Sequence, residues 1–285
     1  MAGTQQAGSL GASQGAPAAP TGAARSRRRP DRIVLRRDLG SFAAPLVPPR
    51  RRALQPLARL VRPLTCTVAV ATEQRVAALT FDDGPDPVGT PAVLDLLAAR
   101  GVRATFFVLT EAAEARPDLV RRMVDEGHEL ALHGLDHRRL SVLPTAEAVA
   151  LVADARARLE RLAGRQVVLF RPPYGAHTPG QLRGWARLGL DVVLWSGWAE
   201  DWRHDVEEVV ARRALTALTP GGILLLHVVR ADPETAAEGE ELPRFDRAEV
   251  LRRVLDGAAD YEFRTAGDLV AAYPRVRTVL RDLMA

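Results

Sequence analysis

From about residue 67 onward the chain alternates short apolar runs with amphipathic stretches, and that alternation limits the folds open to it. The runs Val76 to Phe81, Thr105 to Leu109, Glu129 to Leu132, Val167 to Arg171, Asp191 to Trp195 and Ile223 to His227 read as buried strands. Helix signals fill the gaps between them. Thr90 and Pro91 open one helix and Gly101 closes it, while Pro117 opens a second that ends at Gly127. Thr145 starts a long helix with Val149, Val152, Leu159 and Leu162 on its apolar stripe. Further helices are expected from Pro179 to Leu188, Asp205 to Leu218 and Arg247 to Asp260, with a short packed tail after Tyr261. Strands separated by helices pair in parallel, so the pattern predicts a closed or nearly closed βα barrel.

The N-terminal part reads differently. Residues 1–66 are rich in Ala, Gly, Ser, Pro and Arg without sustained periodicity, which predicts a disordered tail ahead of a domain at 67–285. A short segment, Leu54 to Leu64, is expected to pack on that domain. Residues 1–62 hold 12 Arg against Asp31 and Asp38, whereas the remainder holds 27 Arg against 33 acidic residues. The sequence pI of about 10.1 therefore belongs to the tail, and the mildly acidic domain gives no reason to expect nucleic acid as a partner. The chain has no Lys and no Asn, so its Arg count partly reflects a composition bias. The clusters Arg25 to Arg29 and Arg50 to Arg52 are candidates for peripheral contact with anionic membrane or a lipid-linked substrate. Cys66 is the single cysteine and excludes an intrachain disulfide. No apolar run approaches the roughly 18 residues of a membrane span, and the first residues lack a secretion-signal pattern. The expectation is a cytoplasmic protein, peripheral at most at the inner membrane face.

Chemistry in a βα barrel collects at the C-terminal ends of the strands. The first run ends at Asp82-Asp83, just before Gly84-Pro85. Two adjacent carboxylates at a strand end call for a cation between them, although an Asp-rich turn is the plainer reading. The third run ends at His133, with His137 four residues on; on a helical turn both face one way and suit a divalent metal. Two His and one Asp leave coordination positions open, as a catalytic site requires. Arg171 ends a buried strand and needs a carboxylate partner, for which Asp82 is the natural choice. Trp198, Asp201 and Trp202 follow the fifth run, and His227 ends the sixth. His128, His177 and His204 read as structural or plain loop residues.

At these residues the sequence resembles the carbohydrate esterase family 4 polysaccharide deacetylases, the NodB homology domain. The matching motifs are Thr80-Phe81-Asp82-Asp83-Gly84-Pro85, His133-x-x-x-His137, Arg171-Pro172-Pro173-Tyr174-Gly175, Asp201-Trp202 and Leu225-Leu226-His227. They come in the family's order and cover about residues 74–272. The resemblance implies a deformed (β/α)7 barrel that hydrolyses N-acetyl groups of a saccharide to an amine and acetate. Asp83, His133 and His137 would hold one divalent metal, zinc first, with cobalt, nickel or manganese as alternatives. Asp82 would be the general base, positioned by Arg171, and His227 the acid for the leaving amine, tuned by Asp201. The Tyr174 main-chain N–H would help stabilise the oxyanion, and Trp202 and Leu225 would wall the pocket for the acetyl methyl.

Two positions depart from the family pattern. Gly134 stands where Ser or Thr is usual between the metal histidines, and Val228 follows His227 where Asp is common. The acidic segment Asp232 to Phe245 is a candidate for shaping the substrate cleft. Other readings stay open beside the N-deacetylase. These are a deacylase or deformylase of a lipid-linked amino sugar, an acetyl-ester esterase on the same fold, and a non-catalytic carbohydrate-binding homologue. A non-haem iron oxygenase shares the two-His, one-carboxylate set but not the βα alternation.

Overall fold

The computed structural model describes residues 31–35, 62–230 and 243–279. Seven parallel strands form the continuous path of its eight-stranded main sheet: β3 (Val76–Asp82), β4 (Thr105–Leu109), β5 (Glu129–Gly134), β6 (Leu169–Phe170), β7 (Asp191–Val192), β8 (Gly197–Trp198) and β9 (Ile223–His227). Their order is β7-β6-β5-β4-β3-β9-β8, so β3 lies inside the sheet between β4 and β9 and ends at the first acidic pair. The sheet curls into a deformed (β/α)7 barrel. Among the described residues no ladder joins β7 to β8. Instead β2 (Cys66–Val70) lies across the opening, with bridges Thr67–Val193 and Ala69–Gly222. The helices are α1 (Gly89–Arg100), α2 (Thr110–Ala115), α3 (Pro117–Asp125), α4 (Thr145–Ala163), α5 (Pro179–Arg187), α6 (Glu207–Ala217), α7 (Arg247–Gly257) and α8 (Ala266–Ala272). No helix among the described residues is long and apolar enough to cross a membrane.

Alternation along the strands divides the core in two. Leu79, Phe81, Phe106, Leu132, Phe170 and Leu224 belong to the larger cluster, which also contains Val93, Leu97, Val152, Leu159 and Trp185 from the helices. Ala78, Phe107, Ala131, Leu169, Val193 and Ile223 form the barrel interior. Both faces of each strand are therefore apolar, which is why the strands read as continuous runs rather than alternating ones.

The segment after Tyr261 is more than a packed tail. β10 (Glu262–Arg264) pairs in parallel with Val76–Ala78 at the start of β3. Ala266, Leu269 and Val270 of α8 then join the interior cluster. The first turn of α8 bonds to the strand starts: Ala266 N–H donates to Thr105 Oγ1 at 2.7 Å and Gly267 N–H to Glu129 Oε2 at 2.8 Å. α8 thus closes the N-terminal end of the barrel, and access is left at the C-terminal ends.

The stretch read as a disordered tail contains ordered structure. β1 (Arg32–Leu35) pairs in parallel with β11 (Arg275–Val279), and β11 pairs antiparallel with β2, making a separate three-stranded sheet. Arg277 ties this sheet together through Asp31, just before β1, at 3.2 Å and locks it to the barrel through Asp191 of β7 at 3.2 Å. A four-residue strand is too short to register against the Arg-rich composition around it, and its partner lies some 240 residues away. Residues 1–30 and 36–61, with both Arg clusters and most of Leu54 to Leu64, lie outside the described residues, as do residues 231–242 of the acidic segment.

Candidate active site

β3 runs buried to its last residue, and the chain turns sharply at Asp83, which is left-handed at φ 75. Asp tolerates that conformation better than most residues. The turn lets Asp82 and Asp83 line one cavity of about 260 Å³. His133, in β5, and His137, in the loop beyond it, face them. His133 Nε2 stands 3.3 Å and His137 Nε2 3.4 Å from Asp83 Oδ1. The two histidines do not share a helical turn as expected; the link is Gly134 at φ 137, followed by bends. A Cβ at Gly134 would stand 3.0 Å from the Asp136 carbonyl. That tight, left-handed turn suits glycine.

Each of these histidines is held by its other nitrogen. His133 Nδ1 donates to the Arg171 carbonyl at 2.8 Å, so Nε2 is the ring atom turned toward Asp83. His137 Nδ1 lies 3.2 Å from the Tyr174 hydroxyl, and its ring packs 4.6 Å from the Tyr174 ring. Tyr174 is itself left-handed at φ 61, in the turn formed by Pro173–Gly175. Burial pushes the Asp83 carboxyl up, but the His133 hydrogen bond and the charges of His227, His137 and His133 outweigh it, leaving it well below the usual carboxylate range.

Behind Asp82 lies Arg171, fully buried. Its Nη1 donates to Asp82 Oδ1 at 2.6 Å and to Thr80 Oγ1 at 3.0 Å, while Nε and Nη2 donate to the Val193 and Leu194 carbonyls. The guanidinium stacks 3.9 Å over the Phe107 ring, whose residue belongs to the barrel interior. A cation so fully bonded is anchored, and it compensates the Asp82 charge inside the protein.

Across the cavity, β9 pairs with β3 so that His227 is the register partner of Asp82. Asp201, in the loop between β8 and α6, grips His227 twice. Its Oδ1 accepts from His227 Nδ1 at 2.7 Å and its Oδ2 from the His227 main-chain N–H at 2.7 Å. Burial alone pushes the imidazole down, but the Asp201 charge and hydrogen bond prevail, with smaller help from Asp83 and Asp82, raising it from 6.5 to about 9. Trp202 packs edge-on 5.8 Å from the His227 ring, and Leu225, Trp195 and Trp198 continue the apolar wall.

All ten residues singled out in the sequence converge here, with Arg171 and Asp201 as buried supports behind the cavity. Sequence reasoning missed Arg230, which lines the mouth, and Arg247, whose Nη1 donates to Asp201 Oδ2 at 3.2 Å. The signal for Arg247 was a cation in the first turn of a helix, where the helix dipole disfavours it. His177 is no loop bystander either: it is buried beneath this site, 2.8 Å from the Gly175 carbonyl and 3.5 Å from Cys66 Sγ. Val228 is buried, with its Cγ2 2.4 Å from where a Cβ at Gly84 would stand, so it fills space against the acidic turn.

The arrangement has known counterparts. The polysaccharide deacetylase profile matches residues 69–193. A chitooligosaccharide deacetylase of Sinorhizobium fredii is 37% identical over 187 residues, covering 65% of this chain and 86% of that protein. The chain belongs to the polysaccharide deacetylase family. Other members match over less of their length: the peptidoglycan-N-acetylglucosamine deacetylase PgdA of Listeria monocytogenes is 36% identical over 55% of this chain but only 33% of its own. Among solved structures, Bacillus subtilis PdaA, a family 4 carbohydrate esterase, superposes with a TM-score of 0.64. The identity is 26%, over 79% of this chain and 91% of that one. Membership makes the protein a hydrolase and places the cavity at the end of the barrel where this fold keeps its chemistry.

Proposed function

We propose that the protein is a divalent-metal-dependent deacetylase that hydrolyses the acetamido group of an N-acetylated saccharide, with Asp82 as base and His227 as acid. One observation carries this reading. Asp82 and His227 are register partners on adjacent strands, yet one is tied to Arg171 and the other to Asp201. The geometry supports a base and an acid that flank one bound group.

The residues present fit a divalent ion. Asp83 Oδ1, His133 Nε2 and His137 Nε2 lie within 4.8 Å of one another, and the Nδ1 bond of His133 fixes the tautomer that a ligand needs. One carboxylate and two imidazoles suit zinc, as they do cobalt, nickel or manganese. When bound, the ion supplies Lewis acidity that polarises the acetamide carbonyl and acidifies a water beside it.

The chain's own groups then do the following. Asp82 takes a proton from the attacking water, with its carboxylate aimed by Arg171. The Tyr174 main-chain N–H is offered to the carbonyl oxygen as negative charge develops there. As the C–N bond breaks, His227 delivers a proton to the nitrogen, since an amine anion is too poor a leaving group to depart alone. Asp201 holds the resulting neutral ring by Nδ1, so Nε2 is the atom that gives up the proton. Trp202 and Leu225 present apolar surface to the acetyl methyl. The products are the amine and acetate.

The test is acetate release from soluble chito-oligosaccharides and from peptidoglycan fragments, comparing the wild type with Asp82→Asn. We expect turnover of at least one substrate by the wild type and a loss of roughly 10²–10⁴-fold in the variant. An Asp82→Asn protein as active as the wild type would overturn the assignment of the base.

A further inference from the structure

Arg247 is the first residue of α7, and its side chain is only 11% exposed. Its Nη1 donates to Asp201 Oδ2 at 3.2 Å and to the His227 carbonyl at 3.1 Å. The guanidinium also lies 4.8 Å over the Phe245 ring. Helix α7 does not need this residue. Its N-cap is Asp246, which accepts from the Ala248 and Glu249 N–H groups, and a cation at a helix N-terminus opposes the macrodipole. A buried cation in an unfavourable place is retained where it satisfies something else.

What it satisfies is the carboxylate of Asp201. Oδ1 of that group is committed to the His227 ring, and Oδ2 already accepts from the His227 main chain. Those two donors belong to a single residue, so they orient the carboxylate against His227 alone. Arg247 adds a bond from a separate element and also grips the His227 carbonyl, so the pair is fixed from a third direction.

We propose that Arg247 is a positioning residue for the leaving-group acid, holding Asp201 and the His227 main chain so that the imidazole keeps its aim into the cavity. This rests on the reading of His227 as the acid. The charged groups facing His227 are Asp201 from the loop after β8, Arg247 from α7, and Asp82 and Asp83 from β3, with Arg230, His133 and His137 along the same cavity. Replacing Arg247 by a neutral residue removes a positive charge from this set. The protonated ring is then favoured, and the basic limb of the activity profile moves up.

The experiment measures kcat/KM against pH for the wild type, Arg247→Met and Arg247→Lys. Substrates are a soluble chito-oligosaccharide and an O-acetylated counterpart, and folding is checked by circular dichroism. For Arg247→Met we expect amide turnover to fall about tenfold to a hundredfold, with a smaller loss on the ester. Its basic limb should rise by roughly one pH unit. Arg247→Lys should return the limb to its wild-type place and recover most of the rate. If Arg247→Met does not fold, Arg247→Gln carries the same predictions. A folded neutral variant with an unmoved limb, or a Lys variant no better than the neutral one, overturns the proposal. His227→Ala assayed alongside separates the two readings: equal losses on amide and ester there remove the acid itself. A selective amide loss in His227→Ala with an unmoved limb in Arg247→Met removes only the role of Arg247.

Discussion

Replacing Asp201 by Asn keeps its size and leaves an oxygen to accept a hydrogen bond, but it removes the charge that sustains the protonated His227. With Asp201 present the ring sits at about 9; burial alone would hold it below its ordinary 6.5. The variant ring should therefore titrate near or below 6.5. At pH 8 the protonated fraction then drops from roughly nine-tenths to about 3%, which is about a 30-fold loss of active acid. The assay is the pH dependence of kcat/KM for acetate release from a soluble chito-oligosaccharide. The basic limb should move down by about two and a half units or more, and activity should partly recover toward pH 6. The sign for stability follows from the same shift. A pKa raised in the folded state stabilises the fold below about 6.5, and that contribution is lost as pH rises through about 9. Asp201→Asn should flatten this alkaline loss. A basic limb that stays near 9 in the variant would refute the coupling of Asp201 to His227.

His137→Ala and Asp83→Ala should each lose stoichiometric binding of a divalent ion along with turnover, as read by metal analysis after dialysis and by titration calorimetry; full activity of a rigorously metal-free wild type would contradict this. Arg171→Met leaves Asp82 buried without its counter-charge and should cost about 3–5 kcal/mol in chemical denaturation; a change below about 1 kcal/mol would show that the pair is not desolvated as its burial implies. Asp31→Ala removes one of the two carboxylates that hold Arg277, so thermal unfolding should shift down by a few degrees, equivalent to about 1–2 kcal/mol, while activity is kept.

The barrel was legible because its strands are buried on both faces and its helices carry their own start and stop signals. The site was legible because strand ends concentrate the chemistry: Asp82, Asp83, His133, Arg171 and His227 all sit at or next to one. What escaped was set by distant contacts. β1 is four residues in an Arg-rich stretch, and only its pairing with β11 near the other end of the chain gives it a reason to be a strand. β6 and β7 are two residues each, shorter than the apolar runs that announced them, because the chain leaves the sheet early to place Arg171 and the tryptophan wall. The spacing of His133 and His137 suggested a helical turn, but Gly134 makes the turn in a left-handed conformation that periodicity cannot signal. Arg247 depends on a fold-level juxtaposition across 46 residues; its place at a helix start flags an ill-placed cation but does not name its partner.

The central claim is that Asp82 and His227 divide the acid–base work across one bound acetyl group. The direct measurement compares His227→Ala with the wild type on two substrates that differ only in the bond broken: an N-acetyl saccharide and its O-acetyl counterpart. An amine leaves only with a proton, whereas an alkoxide departs more readily, so the loss should be roughly 10²–10⁴-fold on the amide and much smaller on the ester, with metal content unchanged. Equal losses on both substrates would contradict the account.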